Sequence, residues 1–240
     1  MTSKLHVRTA SASDVPRLVA MNVAAYPELV ADGVVFDESQ LRAQQYVFPE
    51  GQLVVEREGE VVGALATLIA RGEAALAQHT WIDATSHGTF ACHDPDGDTL
   101  YLADVYVDPA ARGLGVGAKL YEALFALCRR KRLARVVGGG RLFGYHEVAK
   151  TMSPEAYVGE VLRGERRDLV LGSQLSAGFR VEGIFVDYLD DWRSAGFATK
   201  IVWRNPSAEK RVDRGSGLSP RSDAREGDDL ANRGGDVTQV

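Results

Sequence analysis

Val105-Tyr106-Val107-Asp108-Pro109-Ala110-Ala111-Arg112-Gly113-Leu114-Gly115-Val116-Gly117-Ala118-Lys119-Leu120 joins a β-rich run to an amphipathic helix through a glycine turn. Residues 100–107 read as a strand, Asp108-Pro109 breaks it, and a helix follows from about Gly115 to Arg132. Gly113, Gly115 and Gly117 stand at alternate positions, so backbone N–H groups can approach a ligand with no Cβ in the way. Amides in the first turn of a helix lack internal partners, and the dipole there is positive. The arrangement is an anion site suited to a diphosphate, with the charge of Arg112 at its mouth. It is not a Walker loop, which needs Gly-Lys-Ser/Thr, and it falls one residue short of the dinucleotide Gly-x-Gly-x-x-Gly.

On the N-terminal side, Leu5–Thr9 reads as a strand. A helix capped by Ser13, with Asp14 and Pro16 in its first turn, runs to about Tyr26. Asp37–Tyr46 is a short helix, and Leu53–Glu56 and Val61–Ala70 are strands around a Glu58-Gly59-Glu60 turn. Residues 72–99 show no period and end in the turn-rich Asp94-Pro95-Asp96-Gly97-Asp98. On the C-terminal side, Val136-Val137 reads as a short strand ending in Gly138-Gly139-Gly140. Ser153-Pro154 starts a helix, and a further helix over 168–177 stops at Gly178. Phe179–Val186 and Ala198–Trp203 are the last strands. This order predicts an α/β (α+β) fold with a mixed sheet around one central strand–loop–helix unit.

The chain has 240 residues, 45% hydrophobic and 25% charged, which suits one soluble domain with extensions. A net charge of -5 argues against nucleic acid as a partner. Large apolar residues are sparse beyond Asn205, so 1–204 is expected to be the folded domain and 205–240 a disordered polar tail. Cys92 and Cys128 are too few for a disulfide framework. No signal-like N-terminus and no apolar run of membrane-spanning length occurs, so no membrane partner and a cytoplasmic location are expected. His79, His87 and His93 share the long loop with Cys92 but at no metal-ligand spacing, and no metal is expected.

Arg112-x-x-Gly115-x-Gly117, following Val105-Tyr106-Val107, resembles the Arg/Gln-x-x-Gly-x-Gly/Ala acyl-CoA signature of the GCN5-related N-acetyltransferase (GNAT) superfamily. The resemblance covers about five-sixths of the chain. It implies a mixed, mostly antiparallel sheet flanked by helices, with a central strand–Gly-rich loop–helix CoA site. Further stretches are similar to the acetyltransferase-like domain often fused to carbon–nitrogen hydrolases. They are Asp94–Tyr101, Gly139-Gly140-Arg141, Gly144-Tyr145-His146, Met152–Val158 and Trp203-Arg204-Asn205-Pro206.

The resemblance implies acyl transfer from acetyl-CoA, or another short acyl-CoA, to an amine, with CoA as co-substrate. It places the cofactor in a V between 100–107 and 135–138. Backbone groups of Val105 and Val107 would hold the pantetheine arm. The amides of Arg112, Gly113, Leu114, Gly115, Val116, Gly117 and Ala118 would hold the pyrophosphate. Asp104 stands where family members often carry an acidic residue and is the candidate general base. The usual acid, a Tyr on the helix matching 168–177, is missing, which leaves Tyr145 and Tyr188 as substitutes and His146 as a pocket candidate. Candidate partners are a small-molecule or protein amine acceptor, a separate carbon–nitrogen hydrolase and a second copy of the chain in a homodimer. Two alternatives stand beside transfer. One is a CoA-binding or interaction module without turnover. The other is a short acyl-CoA decarboxylase, for which a His near Gln174 and a Thr near Gly140 would be expected and are not present.

Overall fold

The computed structural model describes residues 4–30 and 34–208. Its strands are β1 (Leu5–Thr9), β2 (Gln52–Arg57), β3 (Glu60–Ala70), β4 (Thr99–Val107), β5 (Arg135–Arg141), β6 (Arg180–Phe185) and β7 (Ala198–Arg204). They form one sheet in the order β1-β2-β3-β4-β5-β7-β6. Every neighbouring pair is antiparallel except β4 and β5. Parallel neighbours need a crossover, and the amphipathic helix after the glycine turn supplies it. The helices are α1 (Val15–Ala25), α2 (Glu38–Val47), α3 (Gly72–Leu76), α4 (Trp81–Thr85), α5 (Val116–Arg130), α6 (Pro154–Leu162) and α7 (Leu169–Ala177). The mixed, mostly antiparallel sheet flanked by helices is the architecture expected.

Strand periodicity sorts the core into two layers. Leu53, Val55, Leu100, Leu102 and Val136 pack with Leu120 and Leu124 of α5 and Leu171 of α7. Val54, Tyr101, Ala103 and Val137 face the other way, onto Val15, Leu18 and Met21 of α1 and onto Trp81 and Phe90.

Four expectations need correction. The entry to α1 is a 3-10 turn over Ala12–Asp14 with Ser11, not Ser13, in the capping position. The Ser11 N–H donates to Asp14 Oδ2 at 2.7 Å, and Arg8 grips the same carboxylate at 2.6 and 2.8 Å. Residues 72–98 are a packed insertion rather than a loop. Each of α3 and α4 is five residues long, too short for a helical period to register. The triple glycine does not end β5; Gly138, Gly139 and Gly140 pair in register with Ile201, Lys200 and Thr199 of β7. Finally, Asn205 belongs to the fold. Its N–H donates to Ala134 O at 2.9 Å and its buried Nδ2 to Leu133 O at 2.7 Å. The rest of the expected tail, from 209, lies outside the described residues.

The glycines in β5 yield side-chain space to their neighbours. A Cβ on Gly139 would lie 2.1–2.5 Å from the Tyr188 ring, and one on Gly140 would lie 2.2 Å from Gln174 Oε1. Tyr188 is itself wedged against Phe185 and hydrogen-bonded to Tyr101, so it cannot swing clear. Gly139→Ala is therefore expected to cost about 1–3 kcal/mol, as overpacking does. Chemical denaturation read by near-UV dichroism checks it; an unchanged midpoint would show that Tyr188 gives way.

Candidate functional site

The strands around the glycine turn part company. β4 and β5 pair only from Thr99–Leu102 against Arg135–Gly138, while β4 continues to Val107. A bulge at Ala103 interrupts the β3 ladder, where Thr67 pairs with Leu102 but Ala66 with Asp104. The Asp108 N–H donates to Val62 O next to β3, at 3.0 Å. By the two-residue alternation, the backbone groups of Val105 and Val107 turn the other way, into the gap. Two carbonyls on that edge are taken: Ala103 O by Trp81 Nε1 at 2.9 Å and Val105 O by the Tyr26 hydroxyl at 2.8 Å.

The turn beyond β4 is shaped for close approach. Asp108 accepts from the Ala110 N–H at 2.8 Å and forms an ion pair with Arg17, so the strand end is pinned. Gly113 and Gly115 have φ of +79° and +82°, the left-handed region where a side chain is strained. A Cβ on Gly113, Gly115 or Gly117 would meet nothing within 4 Å. The first bond of α5 runs from Lys119 N–H to Gly115 O, 3.0 Å, so the amides of Val116, Gly117 and Ala118 precede the helical ladder. Arg112 sits beside them and donates to Ala25 O at 3.3 Å, across the cleft mouth. The Leu114 side chain is exposed and is not part of the cleft wall, so its part in an anion site is confined to its backbone.

An outer cleft of about 750 Å³ runs from this turn past Val105 and Val107 to Arg141 and α7. It opens into an inner chamber of about 230 Å³ walled by Trp81, Asp104, Tyr121, Gly139 and Gln174. Tyr26, Arg141 and Ser173 belong to both. In the inner chamber, Asp104 accepts from Asn22 Nδ2 at 3.0 Å and from the Tyr26 hydroxyl at 2.8 Å. Burial raises its carboxyl to about 6 despite these donors, which pull the other way. Burial also pushes the Tyr26 hydroxyl well above its usual value, and the Asp104 charge adds to that.

Sequence reasoning brought Asp104, Val105, Val107 and Arg112–Ala118 to one cleft and misplaced the others. Tyr145 is buried in the core against Tyr157 and Phe197, and its hydroxyl donates to Met152 O at 2.7 Å. Its hydroxyl is engaged by that carbonyl, and the residue lies outside the cleft wall. His146 packs on Trp192 and is also outside the wall. Tyr188 lies beneath Gly139, hydrogen-bonded to Tyr101 at 2.8 Å, with burial pushing its hydroxyl well above the usual tyrosine range. Tyr26 and Asn22 were missed. Their i, i+4 spacing at the C-terminal end of α1 was visible, but not the Asp104 carboxylate they serve. Among the described residues no cluster of three or more His, Cys, Asp or Glu can hold a metal, and no helix is long and apolar enough to cross a membrane.

Comparison with known proteins agrees with this geometry. The model of the "Acetyltransferase (GNAT) family" matches residues 17–139. An "Uncharacterized N-acetyltransferase YkwB" of Bacillus subtilis (strain 168) is 33% identical over 201 residues, covering 84% of this chain and 89% of that protein. "Probable hydrolase YhcX" of the same organism is 34% identical over 203 residues, but the chain spans only 39% of its length. Among solved structures, a GphF GNAT-like decarboxylase in complex with isobutyryl-CoA has 30% identity and a TM-score of 0.70, covering 83% of this chain and 99% of that one.

Gly117 offers a clean test of the anion site, because its φ is not in the left-handed region and a Cβ there meets open space. Gly117→Asp should leave the melting temperature unchanged, since Asp suits a first helical turn. It should weaken CoA binding by at least about a hundredfold through lost charge-assisted hydrogen bonds and repulsion. Titration calorimetry with CoA and with dephosphorylated pantetheine reads both; undiminished CoA affinity would remove the pyrophosphate from this turn.

Proposed function

The chain belongs to the acetyltransferase (GNAT) family and is an acyl-CoA-dependent N-acyltransferase, and on that premise we propose direct transfer to an amine with Asp104 as the base. The observation that carries the proposal is the Asp104 carboxylate in the inner chamber, beside the splayed edge of β4 and raised to about 6. Such a group is ionised at neutral pH yet far more basic than an ordinary aspartate. It takes a proton from the ammonium form of the acceptor, directly or through a water. The neutral amine then attacks the thioester carbonyl. A C–N bond forms, the C–S bond breaks, and the CoA thiolate leaves and becomes the thiol by taking up the proton that the attacking nitrogen sheds.

Tyr26 fits both states of that carboxyl. Its single proton can go to Asp104 Oδ1 or to Val105 O, each 2.8 Å away. With Asp104 ionised, the hydroxyl donates to the carboxylate. Once Asp104 holds the amine's proton, Tyr26 can turn its own proton to Val105 O and accept from the carboxyl. Val105 and Val107 offer backbone groups to the pantetheine arm, and the first amides of α5 offer theirs to the pyrophosphate. The hydrolase relative supports a separate carbon–nitrogen hydrolase as a partner, and the two free thiols, Cys92 and Cys128, support a reducing, cytoplasmic setting.

A second reading, short acyl-CoA decarboxylation, is favoured by the decarboxylase among the structural relatives. The structure sets Gln174, on the chamber wall, against Gly140, and neither carries a titratable group. Release of labelled carbon dioxide from malonyl-CoA separates it from transfer.

For transfer, Asp104→Asn should lower kcat by about 10²–10⁴ with little change in CoA affinity. Wild-type activity should fall as pH drops through about 6, where Asp104 takes up its proton. That limb should vanish in the variant. The variant's melting temperature above neutrality should equal or exceed wild type, because it removes a buried charge. Lower stability with unaltered turnover would make Asp104 a structural residue.

A further inference from the structure

The outer cleft carries, where Arg141 joins it to the inner chamber, a charge cluster of Glu28, Arg141 and Arg193 that the transfer chemistry does not use. Along β5, Gly139 faces Tyr188 and Gly140 faces Gln174 of α7, so Arg141 shares the Gly139 face, away from α5 and α7. There it lies over the Tyr26 ring, 5.2 Å from the centroid. Arg193, from the segment between β6 and β7, lies over Phe143 at 4.5 Å and Trp192 at 4.8 Å. Both guanidiniums border the cleft. Between them sits one carboxylate oxygen, Glu28 Oε1, 3.5 Å from Arg141 Nη2 and 3.6 Å from Arg193 Nε. Behind Arg141 the buried Asp191 approaches Nη1 at 3.3 Å.

These contacts are long. Guanidinium–carboxylate hydrogen bonds run about 2.7–2.9 Å, often in bidentate pairs. Arg141 Nη1 and Arg193 Nε are buried and have no hydrogen-bond partner. Donors left unmet in a low dielectric are costly, so a purely structural network would be expected to close on them. Elsewhere the same protein does close such pairs, as Arg8 does on Asp14 at 2.6 and 2.8 Å. The aromatic faces of Tyr26, Phe143 and Trp192 hold both guanidiniums in place regardless of Glu28.

We propose that Arg141 and Arg193 form a seat for an anionic group on the acceptor, a carboxylate or phosphate, with the Glu28 carboxylate standing where that group binds. The inference rests on the acyltransferase reading and names the acceptor's class: a primary amine that also carries an anion. Tyr26 sets the spacing. Its ring lies under Arg141 and its hydroxyl touches Asp104, so the anion and the amine of one small molecule reach their partners across about one tyrosine ring. Glu28 leaves the seat as the ligand's anion enters, and the exchange replaces one long-range carboxylate with one free to adopt bidentate geometry.

The test has two arms. In the first, thiol release from acetyl-CoA is followed with paired amines that differ only in the anion: β-alanine against its amide, and phosphoethanolamine against ethanolamine. The anionic member should have at least about tenfold higher kcat/KM, since a site built for a polar group rejects the analogue lacking it. The carboxylate and phosphate pairs tell the two anions apart. Arg141→Met and Arg193→Met should abolish the preference while CoA affinity holds. Equal use of the neutral members overturns the proposal.

The second arm needs no turnover. Inorganic phosphate is titrated calorimetrically into Glu28→Gln saturated with CoA, so that the pyrophosphate site is filled. Saturable binding is expected there and should be lost in the double variant Glu28→Gln/Arg141→Met. Failure of phosphate to bind Glu28→Gln overturns the seat even if no amine in the panel reacts. Failure of wild type to bind CoA would instead count against the acyltransferase reading; in that case the phosphate titration is run without CoA, and loss of binding in Glu28→Gln/Arg141→Met assigns the phosphate to the seat rather than to the glycine turn, which keeps the two failures apart.

Discussion

The parting of β4 from β5 beyond Leu102 and Gly138 governs the rest of the molecule. Two central strands that stop pairing leave backbone donors and acceptors facing a gap, and buried groups of that kind must find partners. The protein satisfies part of this edge itself, with Trp81 on Ala103 O and Tyr26 on Val105 O. What is left is a ready-made edge for an extended ligand arm. The bulge at Ala103 sits where pairing with β5 ends, on the side of β4 that pairs with β3. The glycine turn then delivers the N-terminus of α5 to the end of the same gap. Strand edge, helix dipole and carboxylate are thus products of one break in one ladder.

That break also explains the glycine run in β5. With β4 turning away, space opens beside β5 on both faces of the sheet, and side chains from other elements fill it. Tyr188 occupies the Gly139 position on one face and Gln174 the Gly140 position on the other. The next residue, Arg141, is the first in the strand whose side chain is free to reach the cleft. A strand with ordinary side chains at 139 and 140 would close the chamber from within.

Much of this was legible before any coordinates. The glycine spacing after a β-rich run announced a turn that leads into a helix start with open amides, and the structure has that turn, with Gly113 and Gly115 in the left-handed region. The central strands β2, β3 and β4 read as β because they are largely apolar runs, buried on both faces over most of their length. The losses have physical causes as well. Gly138–Gly140 looked like a strand end because glycine disfavours strands, yet here its missing side chain is the reason it is present. Residues 72–98 held no period because α3 and α4 are single short turns, fixed by Trp81 and Phe90 packing rather than by a repeated face. Tyr145 looked available because sequence cannot show that its hydroxyl is spent on Met152 O. Tyr26 looked idle because its partner is remote in the chain.

Asp104 shows what the site takes from the fold. Its carboxyl titrates near 6 in the folded chain against an ordinary 3.8. Below the lower value it is neutral in folded and unfolded chains alike. Between the two the folded state holds a proton that the unfolded state has lost. Above the upper value the folded state carries a buried charge, so this residue's contribution to stability falls as pH rises and is lowest where the proposed base would be ionised. Asn22 and Tyr26 limit that cost without removing it. Stronger donors would drive the carboxyl back toward an ordinary, weakly basic aspartate. The arrangement therefore holds the group between two failures, too acidic for the proposed proton transfer or too costly to keep charged, and Asn22 of α1 with Tyr26 just past its end set the balance.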